Sequence, residues 1–195
     1  MPTGTDIQET DLNALYSSLS FFHPLSPEIK EYIGRHSVSR SVSKRALLLK
    51  EGETCHHIYF IRKGIVRGFL REGSKDITTW ITAENELVSS ISTWDIPGPV
   101  AENIQVLEDA ELYVMPLQAL RDLFIRYPEF NIVVRKLLQQ YYADAENRAF
   151  IARLTKAENK YRYFLKAHPA LVNRVPLKYI ASYLGMTLET LSRIR

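Results

Sequence analysis

Near the end of the chain, Glu189, Thr190, Ser192 and Arg193 crowd together, and these are side-chain types that hydrogen-bond base edges in a DNA major groove. On a helix, residues 189 and 193 lie one turn apart on the same side, as a groove-reading pair must. Lys178, upstream of them, suits a phosphate contact. A second cluster, Cys55-His56-His57, invites a metal, because Cys55 and His57 share a strand face. No further ligand lies at metal spacing and His23, His36 and His168 are scattered, so the cluster reads as a turn leading into a strand, with no metal. The one cysteine, Cys55, permits neither an internal disulfide nor a four-thiolate iron-sulfur cluster. With no phosphate loop, GxSxG elbow or paired carboxylates in the sequence, neither an enzyme nor a cofactor is expected.

The base-reading types need a rigid mount. Leu177 to Leu184, behind Pro176, has Ile180, Ala181 and Leu184 at helical spacing. Gly185 breaks that helix, and Thr187 can cap a second one from Leu188 to Arg195, with Leu191 and Ile194 on its inner face. Two short helices joined by a tight glycine turn form a helix-turn-helix, in which the small Ala181 lets the helices cross closely. From Arg148 to Arg195, ten Lys or Arg stand against Glu158 and Glu189, a net of +8; the rest of the chain carries −5 within a total of +3. A basic end on an acidic body points to a polyanionic partner for that end.

Ahead of this unit, Lys156 to Ala167 predicts a helix closed by His168-Pro169, and Pro128 to about Leu154 a long helix without Gly or Pro. On it Phe130, Val134, Leu137, Tyr141, Asp144, Arg148 and Ile151 alternate by four and three, a heptad seam with a polar interruption. At ~1.5 Å per residue such a helix is about 40 Å long, more than a small domain needs. The stripe of Phe130, Val134, Leu137 and Tyr141 is therefore the expected homodimer seam. Leu117 to Phe124 predicts a short helix, as does the stretch after Ser26-Pro27-Glu28 within Asp11 to Gly34.

Between Val38 and Met115 the texture is different. Strand-like runs at Ala46 to Lys50, His57 to Arg62, Ile65 to Arg71, Ile77 to Thr82, Glu86 to Ser90, Asn103 to Leu107 and Glu111 to Met115 are separated by turns such as Lys63-Gly64 and Glu72-Gly73-Ser74. Short strands so closely spaced predict an antiparallel sandwich or barrel. Over 195 residues, 46% hydrophobic and 24% charged, the composition is that of a soluble globular protein and excludes disordered and fibrous classes. No apolar run approaches the ~20 residues that span a bilayer, so no membrane partner is expected. Met1 to Asp11 is polar and acidic, unlike a secretory leader, and a cytoplasmic location is expected.

Taken in order, Lys50-Glu51-Gly52-Glu53, Ile58-Tyr59-Phe60-Ile61-Arg62-Lys63-Gly64, Glu86-Leu87, the long helix and Gly185-Met186-Thr187-Leu188-Glu189-Thr190-Leu191-Ser192-Arg193 resemble the Crp/Fnr family of bacterial transcription regulators. The resemblance runs from about Phe21 onward. It implies an α+β fold: an antiparallel β-roll or jelly-roll sensor domain of cyclic-nucleotide-binding type with N-terminal helices (1–127), a long dimerisation helix (128–154) and a C-terminal winged helix-turn-helix (155–195), incomplete at Arg195. It also implies a homodimer on a palindromic DNA operator, RNA polymerase as a further partner, and a small-molecule effector. The DNA-binding residues become Lys178, Thr187, Leu188, Glu189, Thr190, Ser192 and Arg193, with Leu188 standing where the cyclic-AMP receptor type has Arg.

The effector pocket implied by the family comprises Asn85, Glu86, Leu87, Ser89, Ser90, Val100, Ala101, Tyr141 and Ala145. Cyclic-nucleotide-binding members hold the ribose with a Gly-Glu-Leu segment and the phosphate with an Arg-Ser pair. Here Asn85 replaces the Gly, the phosphate position falls at Val100-Ala101, and Ser89 to Pro99 contains no Arg or Lys. Ala145 and Glu146 stand where the base would be bonded. A buried phosphate without a cationic partner is costly, so cyclic AMP is not the expected effector. The competing reading is a ligand-binding regulatory module whose basic C-terminal helices dock a protein.

Overall fold

A computed structural model describes residues 5–6 and 12–195 of the chain. The reading of Met1 to Asp11 as unlike a leader therefore falls largely outside the described residues. Two antiparallel sheets form the roll. One has the order β1 (Thr5–Asp6), β2 (Val38–Val42), β9 (Ala110–Pro116), β4 (His57–Lys63), β7 (Leu87–Val88). The other runs β3 (Leu47–Leu49), β8 (Asn103–Val106), β5 (Val66–Glu72), β6 (Lys75–Thr82). Strand β4 sits in the interior of its sheet and buries Ile58 to Ile61 in succession, as a strand covered on both faces does. β2 has no counterpart among the expected strands, because Ser39, Arg40 and Ser41 dilute its apolar signal.

Helices α1 (Asn13–Phe22) and α2 (Pro27–His36) close one side of the roll with Leu15, Leu19, Ile29 and Ile33. Ser26 caps α2 by accepting a hydrogen bond from the Ile29 amide, with Pro27 at the first helical position. α3 (Leu117–Arg126) follows β9 and leads into α4 (Phe130–Arg153), the long helix. Then come α5 (Ala157–Ala167), α6 (Leu177–Tyr183) and α7 (Leu188–Ile194).

Among the described residues the buried apolar side chains fall into two clusters, each drawing on residues from both sides of position 127. The larger fills the roll and takes in Phe130, Val133 and Val134 of α4. The smaller joins Ile151 of α4 and Tyr161, Phe164, Ile180, Ala181, Leu184 and Leu191 of the C-terminal helices to Ile65, Ile81 and Leu107 of the roll. Burial of the large apolar side chains among these, at about 1.5 to 3 kcal/mol for each Val, Leu, Ile or Phe, is shared between the roll and the C-terminal helices.

Inside the roll, Gly68 is required by close approach. A Cβ there would lie 2.2 Å from ring atoms of Trp80, which stacks on the bare backbone and donates its indole N–H to Glu102 at 3.1 Å.

Candidate functional site

The helix-turn-helix is built as its residues dictate. Gly185, at φ +62°, takes the left-handed conformation that ends α6. The Met186 amide then reaches the Ala181 carbonyl at 3.0 Å and the Gly185 amide the Ser182 carbonyl at 3.1 Å, the paired bonds of a Schellman stop. Thr187 opens α7, its hydroxyl accepting from the Thr190 amide at 3.1 Å. Buried Ala181 and Leu191 face the common core. On the outside, Leu188, Glu189, Ser192 and Arg193 are exposed, as is Lys178 on α6, whereas Thr190 is half-buried. Glu189 is held below its ordinary pKa by its own backbone amide and by the Thr187 hydroxyl, so it is a carboxylate at neutral pH.

Part of the basic charge is spent within the chain. Arg174 pairs with Glu84 at 2.6 Å and with Glu108, both from the roll. Lys160 donates to the carbonyls of Ala152 and Leu184 at 3.0 and 3.2 Å, tying α4, α5 and the end of α6 together. Sequence reasoning missed both roles, and it also missed Arg67. That guanidinium, 1% exposed, lies between the rings of Phe69 (4.1 Å) and Tyr179 (4.0 Å) and bonds Asp76, Thr78 and Gln105. The available signal was a lone Arg inside the apolar run Ile65-Val66-Arg67-Gly68-Phe69. Beside it, Ser182 of α6 accepts from the Thr78 amide at 2.9 Å and donates to the Asp76 carbonyl at 3.0 Å, covering the free edge of β6.

The expected dimer seam is corrected by burial. Phe130, Val134 and Leu137 are 3, 8 and 5% exposed because they face the chain's own roll, and Tyr141 bonds Glu86 and Leu87. The heptad face is thus occupied within the chain, with Ile151 continuing it into the smaller core. What α4 leaves open is another face: Tyr142, Ala145 and Ala149 are exposed and Leu138 half-exposed, at spacings of four, three and four.

The expected effector residues divide into separate groups. Asn85, Glu86, Leu87 and Tyr141 line a cavity of about 200 Å³ between α1, the turn before β7 and α4. Asn85 adopts φ +70°, the left-handed conformation that a Gly would take there. Tyr141 donates to Glu86 and accepts from the Leu87 amide, each at 3.1 Å. Burial pushes the Glu86 carboxyl up and the Tyr141 phenol up with it. Ser89, Ser90, Val100, Ala101 and Ala145 do not line this cavity. Ser89 accepts from the Trp94 indole at 3.1 Å, Ser90 lies 3.4 Å from the Ser92 hydroxyl, and Ala101 and Ala145 face outward. Buried Val100 exchanges backbone bonds with Gly52 and Glu53 at 2.8 and 2.9 Å, so its amide is already used. Cys55 is buried beside Ser89, with its thiol 3.3 Å from the His57 carbonyl.

Residues 39–127 match the family model described as a cyclic nucleotide-binding domain. The chain is similar to an anaerobic regulatory protein of Haemophilus influenzae, 26% identical over 80% of this chain and 64% of that one. It is also similar to the transcriptional activator protein FnrA of Stutzerimonas stutzeri, 23% identical over 80% of this chain and 68% of that one. The chain therefore spans about two thirds of the length of these relatives. A solved structure described as a regulator of the Crp/Fnr family from Eubacterium rectale shares the fold, with a TM-score of 0.68 at 15% identity over 87% of this chain and 82% of that one. The roll, the long helix and the helix-turn-helix follow one another in the order that the sequence resemblance implied, and the chain is similar to transcription regulators of the Crp/Fnr type.

Proposed function

We propose that the chain is a DNA-binding transcription regulator that works as a homodimer on a palindromic operator. The observation that carries this reading is α7: a helix capped by Thr187, anchored through buried Leu191, and offering Glu189, Ser192 and Arg193 outward with Lys178 on the neighbouring helix. Such a helix enters a major groove with its exposed side chains toward the base edges, and two of them one DNA turn apart need a paired protein. The exposed face Leu138, Tyr142, Ala145 and Ala149 of α4 supports that pairing, since its small residues let a second copy of the helix approach closely.

Cyclic AMP is not the effector in this reading. Val100 and Ala101 bring no cation to the phosphate position, and the Val100 amide already donates to the Glu53 carbonyl. Contact with RNA polymerase belongs to the same reading. The deciding experiment is selection of bound sequences from a random DNA pool by the full chain, followed by affinity measurements across a salt series. A palindromic consensus with a steep salt dependence supports the proposal, because phosphate neutralisation releases counterions. Failure to enrich any sequence, with a flat salt response, favours a module whose basic helices dock a protein.

A further inference from the structure

The cavity between the end of α1, the turn at 85–87 and the middle of α4 has walls that are mostly carbon, supplied by Leu19, Phe22, Phe60, Leu87 and Leu137. Phe21 stands at its rim, 82% exposed and packed edge-on to Phe22 at 5.4 Å. Into this wall the fold places one carboxyl group, Glu86. One of its oxygens accepts the Tyr141 hydroxyl. Among the described residues no Lys, Arg or His pairs with it, and the charged group that acts on it is Asp144, of the same sign. An acid with a like-charged neighbour and aromatic walls has the features of a receptor for an organic cation, which the carboxylate neutralises and the ring faces attract.

We propose that this cavity binds a protonated amine with an apolar body, its ammonium on Glu86 and its carbon skeleton against Phe22 and Phe60. The volume, about 200 Å³, is below the ~300 Å³ at which drug-sized pockets begin, so a single-ring amine fits and a nucleotide does not. A bare divalent cation is the poorer match, because it needs several oxygen ligands and this wall offers one carboxylate. Asn85, Glu86, Leu87 and Tyr141 belong to the effector pocket that the family resemblance implies, whereas the segment from Ser89 to Ala101, where it puts a cyclic phosphate, does not line this cavity. The proposal does not depend on the helix-turn-helix binding DNA, so the two can fail separately.

Calorimetric titration of the full chain with phenethylammonium chloride tests it, with 2-phenylethanol and phenylacetate as neutral and anionic counterparts of the same shape. Saturable one-to-one binding of the amine is expected, about tenfold or more weaker for the alcohol, with no binding of the acid. Glu86→Gln should weaken the amine by about tenfold and leave the alcohol unchanged. Equal affinity for amine and alcohol, an unchanged amine affinity in Glu86→Gln, or no saturable heat from the amine up to millimolar concentration would each overturn the assignment. Should Glu86→Gln not fold, the comparison of the three probes on the unmodified chain decides alone.

Discussion

The guanidinium of Arg67 lies 4.0 Å from the centre of the Tyr179 ring, so a charge rooted in the roll is covered by the first helix of the helix-turn-helix. Phe69 closes the other face, and Asp76, Thr78 and Gln105 satisfy the N–H groups. An arginine this deep is tolerated only because its hydrogen bonds and both faces are filled, and every one of those partners except Tyr179 belongs to the roll.

Replacing Arg67 should therefore cost more than an ordinary surface change. Arg67→Ala is expected to lose about 2 to 4 kcal/mol in urea denaturation, since it vacates a packed slot and strands polar partners. Arg67→Lys should recover only part of this, because an ammonium cannot stack flat between two rings. A loss below about 0.5 kcal/mol for Arg67→Ala, the range of ordinary surface changes, would show that the sandwich does not hold the two parts together.

Glu84 supplies a pH signature for the same interface. The Arg174 side chain, with help from the Gly64 amide, holds its carboxyl at about 2 rather than the ordinary 4.5. A folded-state pKa below the unfolded one stabilises the protein above pH 4.5, and the contribution is lost as pH falls toward about 2. Because about a third of each side chain remains exposed, the pair is expected to contribute about 1 kcal/mol rather than the full shift. Glu84→Gln should lower neutral-pH stability by that amount and flatten the acid limb between pH 4.5 and 2, measured as urea midpoints across pH.

The two faces of α4 should respond oppositely to charge. Val134→Glu places a carboxylate in the roll core and is expected to unfold the chain or cost more than about 3 kcal/mol. Ala145→Glu, on the open face, should leave the chain folded and give monomers in sedimentation, with a melting temperature that no longer depends on protein concentration and with operator binding lost. A folded dimer of Ala145→Glu would move the pairing surface elsewhere.

On the DNA side, Arg193→Ala is expected to cost about 1 to 3 kcal/mol on the selected operator and to relax preference at one base. Lys178→Ala should weaken all sequences alike and reduce the salt slope by about 1. Competition titrations with operator and scrambled duplexes separate the two outcomes, and an Arg193→Ala protein that binds the operator unchanged would remove Arg193 from the reading set.

Features set by local chemistry could be read directly from the sequence. Gly185 and Thr187 each determine a backbone conformation within a few residues, so the stop of α6 and the start of α7 followed from residue type. The strands from His57 to Thr82 were legible for the same reason, with turns marked by Gly64 and Gly73. The seam on α4 was not, because a period of four and three says that a face is buried and nothing about whether its partner lies on the same chain. Phe130, Val134 and Leu137 look alike in either case. The separation of Glu86 from Ser89 and Val100 was also hidden, since it depends on where β7 ends and how the 89–101 segment folds against Cys55 and Trp94. Arg67, Arg174 and Ser182 act through partners up to about a hundred residues away, and no local pattern encodes that.

The smaller core has a consequence for how such a chain can change by recombination. Ile65, Ile81 and Leu107 complete a cluster whose other members come from α4 to α7, so the C-terminal helices of a relative cannot simply be grafted after Leu154. A swapped C-terminal segment has to fit three roll side chains, an arginine between two rings and a free strand edge at once. Exchanges of the C-terminal helices between this chain and a relative are expected to succeed only where β5, β6 and the helices are carried over together as one block.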